Sequence, residues 1–412
     1  MKRFLIALLA LTLVIFTVAC RSAATPAQAT PEPAAPAAAT PEPDTPEPAT
    51  PEPDTPEPAT PEPATPEPEP AADEQPSPAE TIYIPVISKG FQHKFWQTVN
   101  AGSDAAAAKY NIDITFDGPP SESDISIQVD MLNAAMAKNP VALCLAALDT
   151  ESVIEQLNSC ISKGIPVIGF DSGVPNAPVG SIISTASTDN EAAGGLAAET
   201  MMKMDAIEAA AEGATTDNPI ILSVISQDAT SASITGRTTG FVNKMFELCD
   251  AVQPGLVAVT GHDKWNKASA SGDIAVEILV SIAASTSVTD CQTAAQAVLQ
   301  KKPVAVFCTN SGSVDGMLAA TADGSDLDRA NGRYNDLIVV GFDSGATLLN
   351  AIRNEWFAGA ITQDPFQIGY LAVELAYKAV NGEQVPQIVD TGCKYYNKDN
   401  MDDADIAALL YD

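Results

Sequence analysis

The five-residue sequence GFDSG occurs twice in this chain, at residues 169–173 and 341–345, each time directly after a run rich in β-branched residues. It differs from the serine-hydrolase elbow G-x-S-x-G because its serine is fourth rather than third. An apolar run of this kind predicts a buried parallel strand, so each copy would present an aspartate, Asp171 or Asp343, at the carboxyl end of its strand. Two such ends predict two lobes that face one ligand.

The segment from Thr81 onward alternates short apolar runs, such as TIYIPVI, IILSVI and LIVVG, with Ala-rich stretches of helical periodicity. This alternation is typical of parallel sheets that are covered by helices on both faces. About 330 residues exceed the comfortable size of one core, so we expect an α/β protein with two doubly wound parallel-sheet lobes. In such sheets ligands bind outside the carboxyl ends of the strands, which places the expected site in a cleft between the lobes.

The first residues are typical of an export signal. A basic pair precedes an apolar run from Phe4 to Ala19, which predicts a signal peptide over residues 1–19. The order TVAC resembles a bacterial lipobox, so we expect Cys20 to be lipid-modified and to anchor the protein to the cell membrane; an ordinary signal peptide with an incidental cysteine is the alternative. Residues 20–80 repeat TPEP units, whose prolines and like-charged glutamates predict a disordered tether.

The composition limits the partners. A formal charge of −32 and a pI near 4.1 repel nucleic acid and anionic lipid, so we expect no nucleic-acid partner and membrane contact through the lipid anchor only. Beyond Cys20, six cysteines allow up to three disulfides of open connectivity, although Cys144 and Cys308 lie in apolar runs typical of buried free thiols. With no CxxC and only His93 and His262, we expect no metal and no cofactor.

The chain from about Thr81 to Asp390 resembles the ribose/galactose-type sugar-binding proteins that feed ABC transporters, which have the type I periplasmic-binding-protein fold. The resemblance rests on PVISKGFQHKFW, GIPVIGFDSG, STDNEAAGG, TSASITGRTTGF, AVFCTNSG, LIVVGFDSG and AGAITQDPFQIGYLAVE, which follow the order of the family. It implies three crossovers between the lobes, near Ser187, Gln363 and Asp390. The implied lobes are 81–187 plus 364–391, and 188–363 plus 392–412.

A neutral sugar presents hydroxyl groups around its ring and apolar C–H patches on its faces, so its site needs charged or amide groups together with aromatic faces. By resemblance, the positions that match the family's ligand contacts are Phe95, Trp96, Asp171, Arg237, Asn310, Asp343 and Gln363. The two aromatic residues would sandwich the ring, and the polar residues would bind its hydroxyl groups. Structural alternatives are core packing for the aromatics, helix capping for the aspartates, a snorkelling arginine and turn positions for the amides.

Three further residues are candidate contacts. Where ribose binders place an asparagine, this chain has Ala146 or Ala147, and Lys89 or His93, beside the aromatics, could replace the lost polar contact; a solvated loop is the alternative. Trp265 could supply an aromatic wall from the second lobe or could belong to the core. The alignment near it is loose because residues 266–300 form a longer stretch than the family pattern.

The resemblance implies a solute-binding protein rather than an enzyme. We expect a lipid-anchored, extracytoplasmic monomer that captures a sugar or polyol by hinge closure and delivers it to ABC permease and ATPase subunits. The chain has no GxxxxGK[ST] phosphate loop, so the ATPase would be a separate subunit. The alternative is a sensor that presents a bound sugar or furanosyl signal to a chemoreceptor. A glycosidase would need two carboxylates flanking a bond, but an enclosing clamp leaves no path for a leaving group.

Overall fold

The computed structural model describes residues 82–91 and 93–412. The predicted signal peptide, the predicted lipidation of Cys20 and the predicted tether over 20–80 fall outside the described residues and stay predictions. Within the described ranges, no helix combines the length and the apolar character that a membrane crossing requires.

The first lobe is built on a six-stranded parallel sheet. Its strands are β1 (Tyr83–Ile87), β2 (Asp113–Asp117), β3 (Leu143–Leu145), β4 (Val167–Phe170), β5 (Ile182–Ser187) and β12 (Ile388–Asp390), in the spatial order β12-β5-β4-β3-β1-β2. One face is covered by α1 (Lys94–Tyr110) and α10 (Pro365–Val380), and the other by α2 (Ile125–Ala137) and α3 (Ile154–Lys163). Helix α10 begins cleanly because Asp364 accepts from Gln367 N at 2.9 Å and Pro365 follows it.

The second lobe is built on a seven-stranded sheet. Its strands are β6 (Ile220–Ser226), β7 (Val257–Thr260), β8 (Val276–Ile282), β9 (Ala305–Cys308), β10 (Ile338–Phe342), β11 (Gly359–Gln363) and β13 (Cys393–Tyr396), in the order β13-β11-β10-β9-β6-β8-β7. Only β13 is antiparallel to its neighbour. The helices are α4 (Asn190–Met202), α5 (Asp205–Gly213), α6 (Ala232–Val252), α7 (Val288–Gln300), α8 (Ser311–Ala320), α9 (Ala346–Arg353) and α11 (Ala404–Ala407).

The chain passes between the two sheets three times, after β5, after β11 and after β12. Neighbouring crossings are tied together by hydrogen bonds: Thr188 Oγ1 donates to Gln363 Oε1 at 3.0 Å, and Asp189 N donates to Asp390 Oδ1 at 3.0 Å. The predicted fold class, two parallel-sheet lobes with helices on both faces, is confirmed.

The long stretch 266–300 has a defined place in the second sheet. Its apolar part forms β8, which pairs in parallel with both β6 and β7 and therefore lies between them. The strand alternates buried and partly buried residues, as expected of a position inside a covered sheet.

All six cysteines of the described residues are free, and none of the possible disulfides is formed. Cys144 and Cys308 are fully buried, as predicted from their apolar runs. Burial raises the pKa of Cys249 to about 12, which keeps its thiol protonated and unreactive at neutral pH.

Helices α4 and α6 of the second lobe pack through glycines. A Cβ atom added to Gly194 would lie 2.1 Å from the backbone oxygen of Arg237, and one added to Gly240 would lie 1.9 Å from that of Glu191. The same close approach joins α1 to α10, where Gly102 occupies the tight position. These contacts fix α6, and with it the backbone of Arg237, against the start of α4.

We expect Gly194→Ala to lower the free energy of unfolding by about 1–3 kcal/mol, because the added methyl group must separate α4 from α6. Gly195→Ala is the matched control, since its Cβ would find Lys244 Cβ as nearest neighbour at 3.9 Å. The control should be neutral or more stable by up to about 1 kcal/mol. Urea unfolding of the three proteins measures both effects, and equal effects at the two positions would contradict the packing argument.

Candidate ligand-binding site

A cavity with about 310 Å³ of atom-free space, open mouth included, lies where the carboxyl ends of the two sheets meet. It is lined by Lys89, His93, Phe95, Trp96, Glu122, Asp171, Ile234, Arg237, Asn310, Ser311, Asp343 and Gln363. Nine of the ten sequence-predicted site residues are in this lining, and they come from both lobes.

The two GFDSG aspartates hold the same unusual backbone conformation. Asp171 has a φ of 53° and Asp343 a φ of 74°, both in the left-handed region that residues with a Cβ seldom adopt. Each follows the last residue of its strand, so the turn aims both carboxylates into the cavity from opposite lobes. Such strain is concentrated at functional sites, where the surrounding structure holds it in place.

The Asp343 carboxylate is held by donors of its own lobe. Its Oδ2 accepts from the backbone N and the hydroxyl of Ser311 at 3.1 and 3.0 Å, and its Oδ1 accepts from Gln363 Nε2 at 2.8 Å. The hydroxyl of Tyr396, on β13, donates to the backbone oxygen of Asp343 at 2.9 Å and fixes the strained turn. Gln363 in turn accepts from Thr188 at a crossing, so the site and the hinge share one hydrogen-bond chain.

Asp171 keeps an unused hydrogen-bonding position. Its side chain is 3% exposed, and Oδ2 lies 3.1 Å from Lys89 Nζ, an ion-pair distance. Among the described residues no donor is aligned on that oxygen for a hydrogen bond. The ion pair with Lys89 compensates the buried charge, and the carboxylate keeps lone-pair capacity with which it can accept a hydrogen bond from a ligand.

Lys89 places its ammonium group in the cavity lining. Its Nζ donates to Ser233 Oγ of the second lobe at 3.0 Å and lies 5.7 Å from the centre of the Trp96 ring. Burial lowers the pKa of the Lys89 ammonium, but the negative charges of Asp171, Glu122 and Asp228 outweigh this effect and raise it. Lys89 is therefore charged at neutral pH.

Glu122 is the main site residue that the sequence reasoning missed. Its Oε1 accepts from Trp96 Nε1 at 2.7 Å, and its Oε2 accepts from Gln227 Nε2 of the second lobe at 2.8 Å. Gln227 Oε1 accepts in turn from Asn310 Nδ2 at 2.8 Å, so one chain of hydrogen bonds crosses the cleft. The sequence does carry one indication of this role, the position of each residue after a strand. Glu122 follows β2 and Gln227 directly follows β6, so both lie at the carboxyl ends of their strands, where ligands of such sheets bind.

Burial disfavours the ionised form of Glu122, but Lys89 and His93 and the hydrogen bonds from Trp96 and Gln227 oppose it, so the pKa of this carboxyl is lowered. Glu122 is consequently an anion at neutral pH. With Lys89 and Asp171 it forms a buried cluster of alternating charge at the junction of the lobes.

The aromatic pair differs from the predicted sandwich. Phe95 and Trp96 pack edge to face, with ring centroids 4.9 Å apart and an interplanar angle of 85°, so no sugar ring can lie between them. Both residues do line the cavity, on the buried side of α1. The sandwich was wrong because adjacent helical residues cannot face each other across a ligand; the two rings form one wall.

Arg237 and Asn310 support the opposite wall. Arg237 Nε donates to Asn190 Oδ1 at 2.8 Å, Nη1 donates to Thr309 O at 3.1 Å, and the guanidinium lies 3.8 Å from the centre of the Phe342 ring. It is buried within the lobe, so the snorkelling alternative does not hold. Asn310 both caps α8 through Ser313 and lines the cavity, which means that its structural and its candidate ligand roles coexist.

Two other candidates have different positions. His93 lies at the residue preceding α1 and borders the cavity. Trp265 is outside the cavity lining: it belongs to the core cluster of the second lobe, 6% exposed, and its Nε1 donates to Thr239 Oγ1 at 2.9 Å. Trp265 is therefore a core residue of the second lobe and not part of the cavity wall.

Direct contacts close the cleft. Besides the bonds of Glu122 and Lys89 to the second lobe, Ser123 Oγ lies 2.6 Å from Thr286 Oγ1 across the mouth, and Ser233 N donates to Ser172 Oγ at 3.3 Å. The two lobes are in contact on both sides of the cavity, so the described conformation is closed. In the described residues no group of three or more histidine, cysteine or acidic side chains could hold a metal ion.

Two α/β lobes with three crossings, and a closed polar cavity at the carboxyl ends of both sheets, define a two-lobe solute-binding protein. A sequence model of the periplasmic binding protein domain matches residues 84–384, and the chain belongs to this family. The D-allose-binding periplasmic protein of Escherichia coli (strain K12) is 22% identical over 308 residues, which cover 73% of this chain and 86% of that protein.

Two solved structures extend the comparison. An ABC transporter, LacI family transcriptional regulator from Brachyspira murdochii is 37% identical, covers 81% of this chain and 99% of its own, and has a TM-score of 0.67. A carbohydrate transporter solute-binding protein from Agrobacterium radiobacter, in complex with D-arabinose, is 26% identical, covers 81% of this chain and 100% of its own, and has a TM-score of 0.63.

We expect Glu122→Gln to lower the free energy of unfolding at pH 7 by about 1–3 kcal/mol. The introduced amide has a single acceptor oxygen, so its NH₂ group must face one of the two donors, Trp96 Nε1 or Gln227 Nε2. The substitution also leaves Lys89 with one fewer anion beside it. The stabilisation from Glu122 is present above its unfolded pKa near 4.5 and is lost as the pH falls through its lowered folded pKa.

The difference in the free energy of unfolding between the parent protein and Glu122→Gln should therefore be largest near pH 7 and shrink below pH 4.5. Denaturant unfolding at several pH values measures it, with the exposed Glu383→Gln as control. A difference that stays constant down to pH 3 would show that the charge of Glu122 does not contribute.

Proposed function

We propose that the protein binds a monosaccharide or polyol in the interlobe cavity, outside the cytoplasm, and delivers it to an ABC permease. The observation that carries this proposal is the convergence of two carboxylates, Asp171 and Asp343, from separate lobes on one polar cavity with an aromatic wall. The family of the chain and the sugar-binding relatives support the same conclusion.

The lining matches the chemistry of a sugar. Asp171 and Asp343 accept hydrogen bonds from hydroxyl groups, whereas Arg237 and Lys89 donate to hydroxyl and ring oxygens. The wall formed by Phe95 and Trp96 covers an apolar face of the ring. A ligand that both donates and accepts around its rim, with one apolar face, satisfies all of these groups at once.

The charge balance favours an uncharged ligand. The cavity holds three carboxylates, of Glu122, Asp171 and Asp343, against the cations of Lys89 and Arg237. The ammonium group of Lys89 is already paired with the Asp171 carboxylate at 3.1 Å. An anionic ligand such as a sugar phosphate would meet the remaining carboxylates in a buried setting, where like charges repel strongly.

The proposed delivery follows from closure. A ligand that bridges Asp171 and Asp343 favours the closed form by its contacts with both lobes, and the closed form is the one a permease recognises. The lipid anchor at Cys20 and the tether over 20–80 would keep the lobes near the membrane. These two features are proposed from the sequence.

A thermal-shift screen with D-allose, D-arabinose, other pentoses and hexoses, and polyols tests the proposal. We expect at least one of them to raise the melting temperature, because binding to the folded state alone stabilises it. The absence of a shift with every sugar and polyol at millimolar concentration would contradict it.

With the sugar so identified, Asp171→Ala should weaken binding by at least about thirtyfold, or about 2 kcal/mol, because a hydroxyl loses its charged acceptor in a buried site. Isothermal titration calorimetry measures this change, with the exposed Asp263→Ala as control. Unchanged affinity of Asp171→Ala would remove Asp171 from the proposed site.

A further inference from the structure

The backbone of residues 409–411 is fastened to the second lobe. Ser344 Oγ donates to Tyr411 O at 2.7 Å and accepts from Tyr411 N at 2.9 Å, and Gly345 N donates to the same Tyr411 oxygen at 2.8 Å. Thr362 Oγ1 donates to Leu409 O at 3.3 Å. Four hydrogen bonds therefore hold this segment on the second GFDSG loop and on β11.

The side chains of the same segment pack on different lobes. Leu410 packs against a core cluster of the second lobe, whereas the ring of Tyr411 packs against the core cluster of the first lobe. The ring centroid of Tyr411 lies 6.4 Å from that of Phe95, at an interplanar angle of 60°. Phe95 is a cavity residue and packs in turn on Trp96.

We propose that Tyr411 is an interlobe clasp: its backbone belongs to the second lobe, and its ring docks on Phe95 of the first lobe when the cleft is closed. The inference rests on the cleft closure of the proposed function. Opening the cleft requires the Tyr411 ring to leave the Phe95 ring, which exposes apolar surface of both to water. The clasp thus stabilises the closed form and positions Phe95 in the aromatic wall, whether or not a sugar is bound.

The ring, rather than the hydroxyl group, makes the interlobe contact. The Tyr411 hydroxyl accepts from Ser344 N at 3.3 Å, within the second lobe. Tyr411→Phe keeps the ring and should therefore keep the clasp, whereas Tyr411→Ala removes it. Tyr334→Ala is the matched control because Tyr334 packs against a second-lobe cluster and has no part in the cavity lining.

The closed form can be trapped by a disulfide across the mouth. Ser123 Oγ and Thr286 Oγ1 lie 2.6 Å apart and belong to different lobes, so the double variant Ser123→Cys, Thr286→Cys can form a disulfide only when the cleft is closed. With oxidised glutathione, one thiolate first forms a mixed disulfide and releases glutathione; the second thiolate then attacks the mixed disulfide and releases the other glutathione, which requires the closed cleft. The rate of this second step, followed after the mixed disulfide has formed and in the absence of sugar, is proportional to the closed population when the cleft opens and closes faster than the thiols react. The single variant Ser123→Cys controls for other thiol reactions.

In this background we expect Tyr411→Ala to slow disulfide formation at least fivefold, and Tyr411→Phe and Tyr334→Ala to stay within twofold of the parent rate. Formation at the parent rate in Tyr411→Ala would overturn the proposal. An equal loss in Tyr411→Phe or in Tyr334→Ala would overturn it as well, since neither removes the interlobe ring contact. Because no sugar is present, a failure of sugar binding does not alter these rates, and the two proposals can fail separately.

Discussion

The structure depends on the need to neutralise buried charge at the junction of the lobes. Glu122 and Asp171 of the first lobe are buried carboxylates, and each lies close to the ammonium group of Lys89 or to donors that only the closed cleft provides. A buried charge without partners is costly, so the positions of Lys89, Gln227 and the cavity wall are coupled to each other. Closure adds Gln227 to Glu122 and Ser233 to Lys89, so the polar network of the cavity is completed when the lobes come together.

The two GFDSG loops place the aspartates of the candidate site. Each ends a central parallel strand with an aspartate at positive φ, yet their surroundings differ. Asp343 is held by three donors of Ser311 and Gln363, two on Oδ2 and one on Oδ1, whereas Oδ2 of Asp171 is paired with Lys89 and has no aligned donor among the described residues. A carboxylate can accept about four hydrogen bonds, so both aspartates keep capacity for a hydroxyl group of a ligand. Asp343 is the more firmly oriented of the two.

Much of this arrangement could be predicted from the sequence, because apolar strands and the GFDSG repeats carry a local signal and the carboxyl ends of parallel strands must meet at one edge. Residues that act through distant partners carried no such signal. Glu122 lies in a polar loop, and its pairing with Gln227 exists only across the closed cleft. Tryptophan suits both a sugar site and a core, and the family pattern aligns loosely beside Trp265, where the chain forms β8, so the sequence leaves both positions open for this residue. Tyr411 follows all the recognised stretches, so its contact with the first lobe depends on the tertiary fold alone.

The central claim is that one uncharged, hydroxyl-rich ligand is held by both lobes at once. A crystal structure of the protein with a bound monosaccharide tests it most directly. The account predicts sugar hydroxyl groups within hydrogen-bonding distance of both Asp171 and Asp343, with an apolar face of the ring against the wall of Phe95 and Trp96. A sugar that contacts only one of these carboxylates, or that lies outside the interlobe cavity, would contradict it.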